Sequence, residues 1–228
     1  ATWAFQRRGF AQLMAGESFS GKQEDFLEVT RGRFAGRIDL PFPVRLERFS
    51  HEAWDDGTVR SLESALVLAR PEGDEPRTLR VNHPARIADV TLYQSAHHGT
   101  AVTLSFQEAG REPVFTHFLL DAPSRPDRAA VGGAQFPTTP YVVGLWLKPG
   151  AVWAVVRKWG KIVYAGPITR EAPAALPEGM MSLADLRPWS GLIAVADPGA
   201  GGAILGFVVA ILGAGLCLAG FEEKGSHA

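Results

Sequence analysis

One of the six histidines of this 228-residue chain lies in a setting that differs from that of the other five. His83 precedes Pro84, and a following proline favours an extended backbone, which holds the imidazole away from any local helix. A neutral imidazole nitrogen is a good axial ligand for haem iron. Arg80 and Arg86 are close in sequence, and guanidinium groups suit planar carboxylates such as the haem propionates. The residues therefore allow a haem site, although a solvated histidine in a turn before a strand is the more common use of this pattern.

Histidines elsewhere in the chain give weaker indications of chemistry. His97 and His98 are adjacent, so on a strand they would point to opposite faces, and only in a loop could they share one metal ion. Solvated turn histidines are the more common outcome for such a pair. His117 alternates with Phe115, which is typical of a strand residue satisfied by a hydrogen bond. Because no HExxH, cysteine–histidine or GxSxG pattern occurs, the sequence offers no candidate catalytic residue and no candidate metal site.

The composition excludes several classes of function. A formal net charge of −1, with 23 basic and 24 acidic residues, gives no electrostatic argument for binding nucleic acid. The single cysteine, Cys217, excludes an internal disulfide, a CxxC redox pair and a CxxCH haem-attachment site. The 25 glycines and 16 prolines favour many turns and short strands.

Between Gly16 and Trp189 the sequence is strand-like almost throughout. Apolar and polar residues alternate clearly at 43–49 and 101–107, which is the pattern of strands with one buried face. Further strands are predicted at 114–120, 141–147, 151–158 and 161–166.

The connections between these segments complete the expected architecture. Trp159-Gly160 predicts a hairpin between two of the strands. The stretch 121–140 lacks a periodic pattern and is either a surface excursion or a seam between two β layers. The sequence thus predicts a mainly β protein, with an antiparallel β-sandwich-like domain over residues 1–197.

A run of 24 residues, 198–221, carries no charge and is bracketed by Asp197 and by the charged residues at 222–224. A helix rises about 1.5 Å per residue, so about 20 residues cross the hydrocarbon core of a bilayer. A buried core helix is the alternative, but runs this long and uncharged seldom belong to soluble domains. We predict one transmembrane helix at 198–221, followed by a short polar tail at 222–228.

Small residues line one face of this helix. Gly202, Gly206, Ala210 and Ala214 recur every fourth residue. Such a face lets a second helix approach closely, so an integral membrane partner protein is expected to pack on it. The tail lacks the Lys/Arg excess that marks a cytoplasmic end, and charge alone leaves the orientation open.

Two blocks of the sequence resemble the ResB family of cytochrome c biogenesis proteins. RVNHPARIADVTLYQS at 80–95 is similar to the family's VNHP-type turn, which leads to a strand ending in YQS. WSGLIAVADPGAGGAILGFVVAILGAGLCLAGF at 189–221 resembles the family's last section, where a GL…DPG sequence runs from the extracytoplasmic domain into the final membrane helix. Fainter likeness at 7–18 and 42–68 extends the resemblance over nearly the whole chain.

This resemblance implies a part in cytochrome c maturation, in which a membrane complex moves haem across the membrane and attaches it to apocytochrome c. His83 matches the family's histidine, and with Arg80 and Arg86 it forms the candidate haem-binding set. Tyr93 and Gln94 also match the motif and are expected to close the strand against the sheet.

The resemblance further implies where and how the chain acts. It would lie in the cell membrane as a single-pass protein, with its β domain in the periplasm or its equivalent. It would act as a scaffold and haem-side partner, with apocytochrome c as a further partner and without catalytic activity of its own. The alternative is an accessory structural subunit of a respiratory or photosynthetic membrane complex that keeps the fold without handling haem.

Overall fold

The computed structural model describes residues 4–123, 125, 128–148, 151–199, 202 and 204–214. A short 3-10 helix lies at Gln23–Asp25. The strands within the described residues are β1 (Arg7–Met14), β2 (Ser18–Phe19), β3 (Glu28–Arg31), β4 (Val44–Ala53), β5 (Val59–Arg70), β6 (Gly73–Arg80), β7 (Ala85–Ile87), β8 (Val90–Glu108), β9 (Val114–Asp121), β10 (Ala130–Gln135), β11 (Tyr141–Lys148), β12 (Ala151–Lys158), β13 (Lys161–Ile168), β14 (Ala174–Leu176) and β15 (Gly179–Ala196).

Two long antiparallel strands, β8 and β15, form the centre of the fold. They pair from Gly179 opposite Glu108 to Val195 opposite Thr91. β1 and β3 extend this sheet beyond β15, β7 and β9 pair with β8, and β14 pairs with β15, which gives a seven-stranded sheet. Two four-stranded sheets, β2-β4-β5-β6 and β10-β11-β12-β13, accompany it. The prediction of a mainly antiparallel β protein is confirmed.

Each four-stranded sheet shares a hydrophobic core with one half of the long strands. The first core joins residues such as Leu66 of β5 to Leu192 near the end of β15. The second core joins residues such as Val143 of β11 to Leu104 in the second half of β8. Fully burying one such Val or Leu side chain contributes about 1.5–3 kcal/mol. The expected sandwich-like packing therefore occurs twice, on two halves of one sheet, and not as a single sandwich.

Breaks in strand register let β15 and β8 serve both cores. The pairing shifts between Leu183 and Asp185 and again between Ser190 and Leu192. A bulge inserts unpaired residues and changes which side chains face a given layer. The second shift falls between the two cores, and this position lies beside the fully buried Trp189.

The segments with clear alternation form strands close to their predicted bounds. The prediction at 43–49 falls in β4 and that at 101–107 falls in β8, while the later four fall in β9, β11, β12 and β13. The hairpin is confirmed as well, because Trp159 and Gly160 have φ values of 51° and 80° and connect β12 to β13. Positive φ at both central residues is the signature of a type I′ turn.

One strand, β10, lies inside 121–140, the stretch that lacks a periodic pattern. Its middle residues are Gly132 and Gly133, so it has no alternation of side chains for a period-2 pattern to detect. A Cβ atom at Gly133 would lie 2.3 Å from the carbonyl oxygen of Val143 on the neighbouring strand. The close approach of the two backbones therefore explains why a glycine is needed at this position. A strand with glycines at its centre also gives no side-chain pattern that sequence analysis could detect.

After β15 the chain turns into a helix over 204–214, with exposed apolar side chains such as Ile204 and Phe207. Among the residues that the structure describes, no helix has both the length and the apolar character that a membrane crossing needs. The predicted transmembrane helix at 198–221 and the tail at 222–228 extend outside the described residues, which stop at Ala214.

Candidate functional site

The turn that carries His83 is a tight backbone loop between β6 and β7. The Arg80 N–H donates to the His83 carbonyl at 3.3 Å, and the His83 N–H donates to the Arg80 carbonyl at 3.0 Å. Asn82 adopts a φ of 63°, a left-handed conformation that asparagine tolerates better than most residues. The asparagine therefore makes the tight turn, and the turn fixes where His83 is presented.

The His83 side chain is exposed on this turn. Its Nδ1 lies 3.3 Å from the carbonyl oxygen of Val81. When Nδ1 carries the proton and donates to this carbonyl, the lone pair of the ring is left on Nε2. A backbone carbonyl on one ring nitrogen is the usual orienting contact of a histidine that binds metal through the other. The geometry thus permits axial ligation of an iron that approaches from outside.

Arg80 and Arg86 are not gathered around His83. The Arg80 Nε donates to Glu63 Oε2 at 2.8 Å, an ion pair between adjacent strands, and the Arg86 Nε donates to the Ala88 carbonyl at 3.2 Å. All three predicted residues are exposed, as are the neighbouring Val81 and Pro84. The set fits a ligand offered to a haem held elsewhere, and it does not fit a closed haem pocket.

Gln94 has a structural position that joins the two motif blocks. Ser64 Oγ donates to Gln94 Oε1 at 2.7 Å, and Gln94 Nε2 donates to Ser190 Oγ at 2.8 Å. Ser64 and Ser190 are fully buried, so the network satisfies polar atoms from β5, β8 and β15. The YQS strand and the WSGL block are therefore in contact through Gln94, as expected, whereas Tyr93 is 41% exposed.

His97, His98 and His117 lie on β8 and β9 and differ in their contacts. His97 and His98 lie on opposite faces of β8, where His97 packs against Phe10 and His98 is buried. His117 lies with its Nδ1 2.8 Å from Thr103 Oγ1, the hydrogen bond expected of a strand histidine. Within the described part of the chain, no three metal-ligating side chains come together.

A cavity that the sequence does not indicate lies between the two halves of the domain. It has a volume of about 480 Å³ and lies between β4 on one side and β10 and β11 on the other. Residues that line it include Phe49, His51, Thr100, Ala130, Leu147 and Lys148. No local sequence signal connects residues 49–51 with residue 148, because only the packing of two separate sheets brings them together.

Two histidines and a phenylalanine cluster at the wall of this cavity. The ring centres of His51 and His98 are 5.3 Å apart, and the ring of Phe49 lies 5.5 Å from that of His98. His98 Nδ1 lies 2.8 Å from the Ala96 carbonyl oxygen, which orients the buried ring. Burial, and secondly the neighbouring His98, lowers the pKa of His51 below its usual range. This shift favours the neutral form of the His51 imidazole.

Together these features define a class of protein: an antiparallel β domain with two cores on one pair of long strands, leading into an apolar helix. The ResB-like family model matches residues 3–123, which is more than half of the chain. The chain belongs to the ResB-like family, as the resemblance in its motifs indicates. No solved structure matches it.

Curated relatives extend the likeness beyond the residues matched by the family model. The cytochrome c biogenesis protein CcsB of Synechococcus sp. (strain WH7803) is 29% identical over 199 residues, which is 81% of this chain and 42% of that protein. The protein of the same name from Synechococcus sp. (strain CC9605) is 28% identical over 222 residues, or 92% of this chain and 50% of that protein. A third, from Paulinella chromatophora, is 28% identical over 147 residues, 62% of this chain and 32% of that protein. The chain therefore spans half or less of the length of these relatives.

Proposed function

We propose that this chain acts in cytochrome c maturation, as a scaffold and haem-side partner in the complex that delivers haem to apocytochrome c. The observation that carries the proposal is membership of the ResB-like family together with relatives that are named cytochrome c biogenesis proteins. The mainly β domain presents His83 as an exposed imidazole on a turn that two backbone hydrogen bonds hold. The role needs no catalytic residue of this chain, because the bond-forming thiols belong to the apocytochrome.

Removing residues 20–190 from the native gene tests this proposal. We expect covalently bound haem in c-type cytochromes to disappear on haem-stained gels, while the apocytochrome polypeptides remain detectable with antibodies. Cytochromes of the b type, which hold haem without covalent attachment, are the control and should keep their wild-type absorbance. Normal c-type cytochromes in the deletion strain would overturn the proposal and favour an accessory structural role.

We infer further that the β domain lies on the extracytoplasmic side of the membrane, because haem attachment follows export of the apocytochrome. The first strand of the domain begins beside the end of its last strand, since Arg7 pairs with Ala196, the last residue of β15. Protease added to intact spheroplasts should digest residues 20–190, and a cytoplasmic marker protein should survive in the same sample. Protection of the β domain until the membrane is lysed would reverse the topology.

A membrane partner is expected on the small-residue face of the C-terminal segment. Gly202 and Gly206 are exposed helical residues, and a Cβ atom at either position would meet no other atom within 4 Å. Gly206→Leu fills the space into which a second helix would pack, so co-purification of the partner complex in mild detergent should fall several-fold. Val208→Leu, which places a leucine outside the stripe, is the control. Equal recovery from both variants would exclude this face as the contact.

A further inference from the structure

The cavity between the two halves of the domain combines three kinds of surface. Phe49, Ala130, Leu147 and Pro188 give it apolar walls. His51 places an imidazole on the β4 side. On the opposite side, and at the rim, are two cationic side chains, Arg128 and Lys148, which are exposed to solvent.

This combination selects the chemistry of a ligand. The volume of about 480 Å³ is within the usual range of small-molecule sites, about 300–1,000 Å³. Apolar walls favour a ligand whose body is apolar, while two cations across the opening favour carboxylates at its edge. Because His51 faces the same space, the ligand can also carry a metal centre that takes an imidazole nitrogen.

The two histidines alone do not make a site for a free metal ion. His98 is buried and its Nδ1 is engaged by the Ala96 carbonyl, so His51 is the imidazole that borders the cavity. A bare transition-metal ion takes at least three protein ligands, and no such group exists within the described residues. An iron that is already held by four nitrogens of a macrocycle needs only one or two axial ligands.

We propose that this cavity binds the face of an iron porphyrin, with His51 as an axial ligand and with Lys148 and Arg128 pairing with the propionate carboxylates. The identity of the macrocycle rests on the proposed function, and its position rests on the geometry of the cavity. Lys148 borders the cavity, while its Nζ lies 5.1 Å from the centre of the Trp153 ring, so pairing with a propionate requires its side chain to turn from that ring.

Strand registers place this cavity and the turn of His83 at the same end of one sheet. Arg80 pairs with Glu63, and Glu63 pairs with Ser50, the residue before His51. The two histidines thus lie on neighbouring parts of the β4-β5-β6 sheet.

Absorbance titration with ferric haem tests the axial ligand. Binding to the full chain in lipid nanodiscs should shift the Soret band of the haem. His51→Ala should raise the dissociation constant by at least about tenfold, since the loss of a residue that only orients a metal ligand already lowers metal affinity about 10–100-fold. His97→Ala is the matched control, because His97 is an exposed histidine of β8 that packs on Phe10 away from the cavity. Both variants must keep the wild-type circular dichroism. A His51→Ala titration that matches those of the wild type and of His97→Ala would overturn the proposal.

Metal-free protoporphyrin IX tests the carboxylate contacts separately. Lys148→Glu should weaken its fluorescence-detected binding, while Lys161→Glu, at an exposed lysine of β13, should leave it unchanged. His51→Ala should weaken binding of ferric haem more than that of the metal-free ring. Equal binding to every variant would mean adventitious partition into the lipid and would also overturn the proposal.

These measurements are independent of the proposed function. If haem binds at His51 but the deletion strain has normal c-type cytochromes, this site is supported and the maturation role is excluded. Loss of c-type cytochromes on deletion, together with unaltered haem binding by His51→Ala, would keep the maturation role and remove this site.

Discussion

His83→Ala should lower the yield of holocytochrome c by at least about tenfold while the variant accumulates in the membrane at the wild-type level. The expected size follows from metal sites in general, where loss of a residue that only orients a ligand costs about 10–100-fold. Stability should change little, because His83 is exposed and its ring contributes one long contact, 3.3 Å, to the Val81 carbonyl. Haem-stained gels measure the yield, and immunoblots of membranes measure the amount of the variant.

A matched pair of variants separates the imidazole from the turn that carries it. Asn82→Gly keeps a residue that accepts the φ of 63°, so the turn should persist and maturation should continue. His83→Ala keeps the turn and removes only the ring. Wild-type holocytochrome c in His83→Ala cells would contradict the ligand role, and a parallel loss in both variants would assign the effect to the turn.

Most of the strands could be predicted from the sequence because their information is local. Apolar and polar residue types alternate at 44–47 in β4 and at 102–107 in β8, and in the hairpin two adjacent residues, Trp159 and Gly160, determine the turn. The turn of His83 is local in the same sense, since Asn82 and Pro84 restrict its backbone. Its exposure, however, depends on what the rest of the chain places around it.

The arrangement of the two cores could not be predicted, because it depends on register between distant strands. The shift between Ser190 and Leu192 is a relation between β15 and β8, which are about 90 residues apart, and no pattern within either strand specifies it. The cavity beside His51 has the same origin. Phe49 and His51 alternate on β4 as ordinary strand residues, and only the second sheet brings Lys148 opposite them.

Arg80 and Arg86 lie close to His83 in the sequence, and each has its own hydrogen-bond partner in the structure. The prediction places both beside a haem because they lie within three residues of His83. In the structure Arg80 is paired across the sheet with Glu63, and Arg86 bonds to its own turn at Ala88. An exposed ion pair of this kind is worth about 0–1 kcal/mol, so Arg80 remains free to exchange partners at little cost.

The largest effect on stability is expected from Trp189→Ala, which should destabilise the domain by about 3–5 kcal/mol, the usual cost of truncating a buried aromatic side chain. Trp189 is 1% exposed, and its Nε1 donates to the Leu120 carbonyl at 3.0 Å. The indole stands opposite Gly99, where a Cβ atom would lie 1.9 Å from that same carbonyl oxygen. Ring, carbonyl and glycine therefore form one close-packed contact between the two cores. Denaturant unfolding of the full chain in nanodiscs measures the change.

Trp189→Phe divides that effect into packing and hydrogen bonding. The phenyl ring keeps most of the apolar volume, while the Leu120 carbonyl loses its indole donor, so about 1–3 kcal/mol should be lost. Because β8 and β15 belong to both cores, the loss should appear in both halves of the domain. Hydrogen exchange should therefore accelerate in parallel at Leu66 of β5 and at Val143 of β11. If Trp189→Ala accelerated exchange at only one of these positions, the two cores would be separate folding units, and the long strands would connect them without coupling their stability.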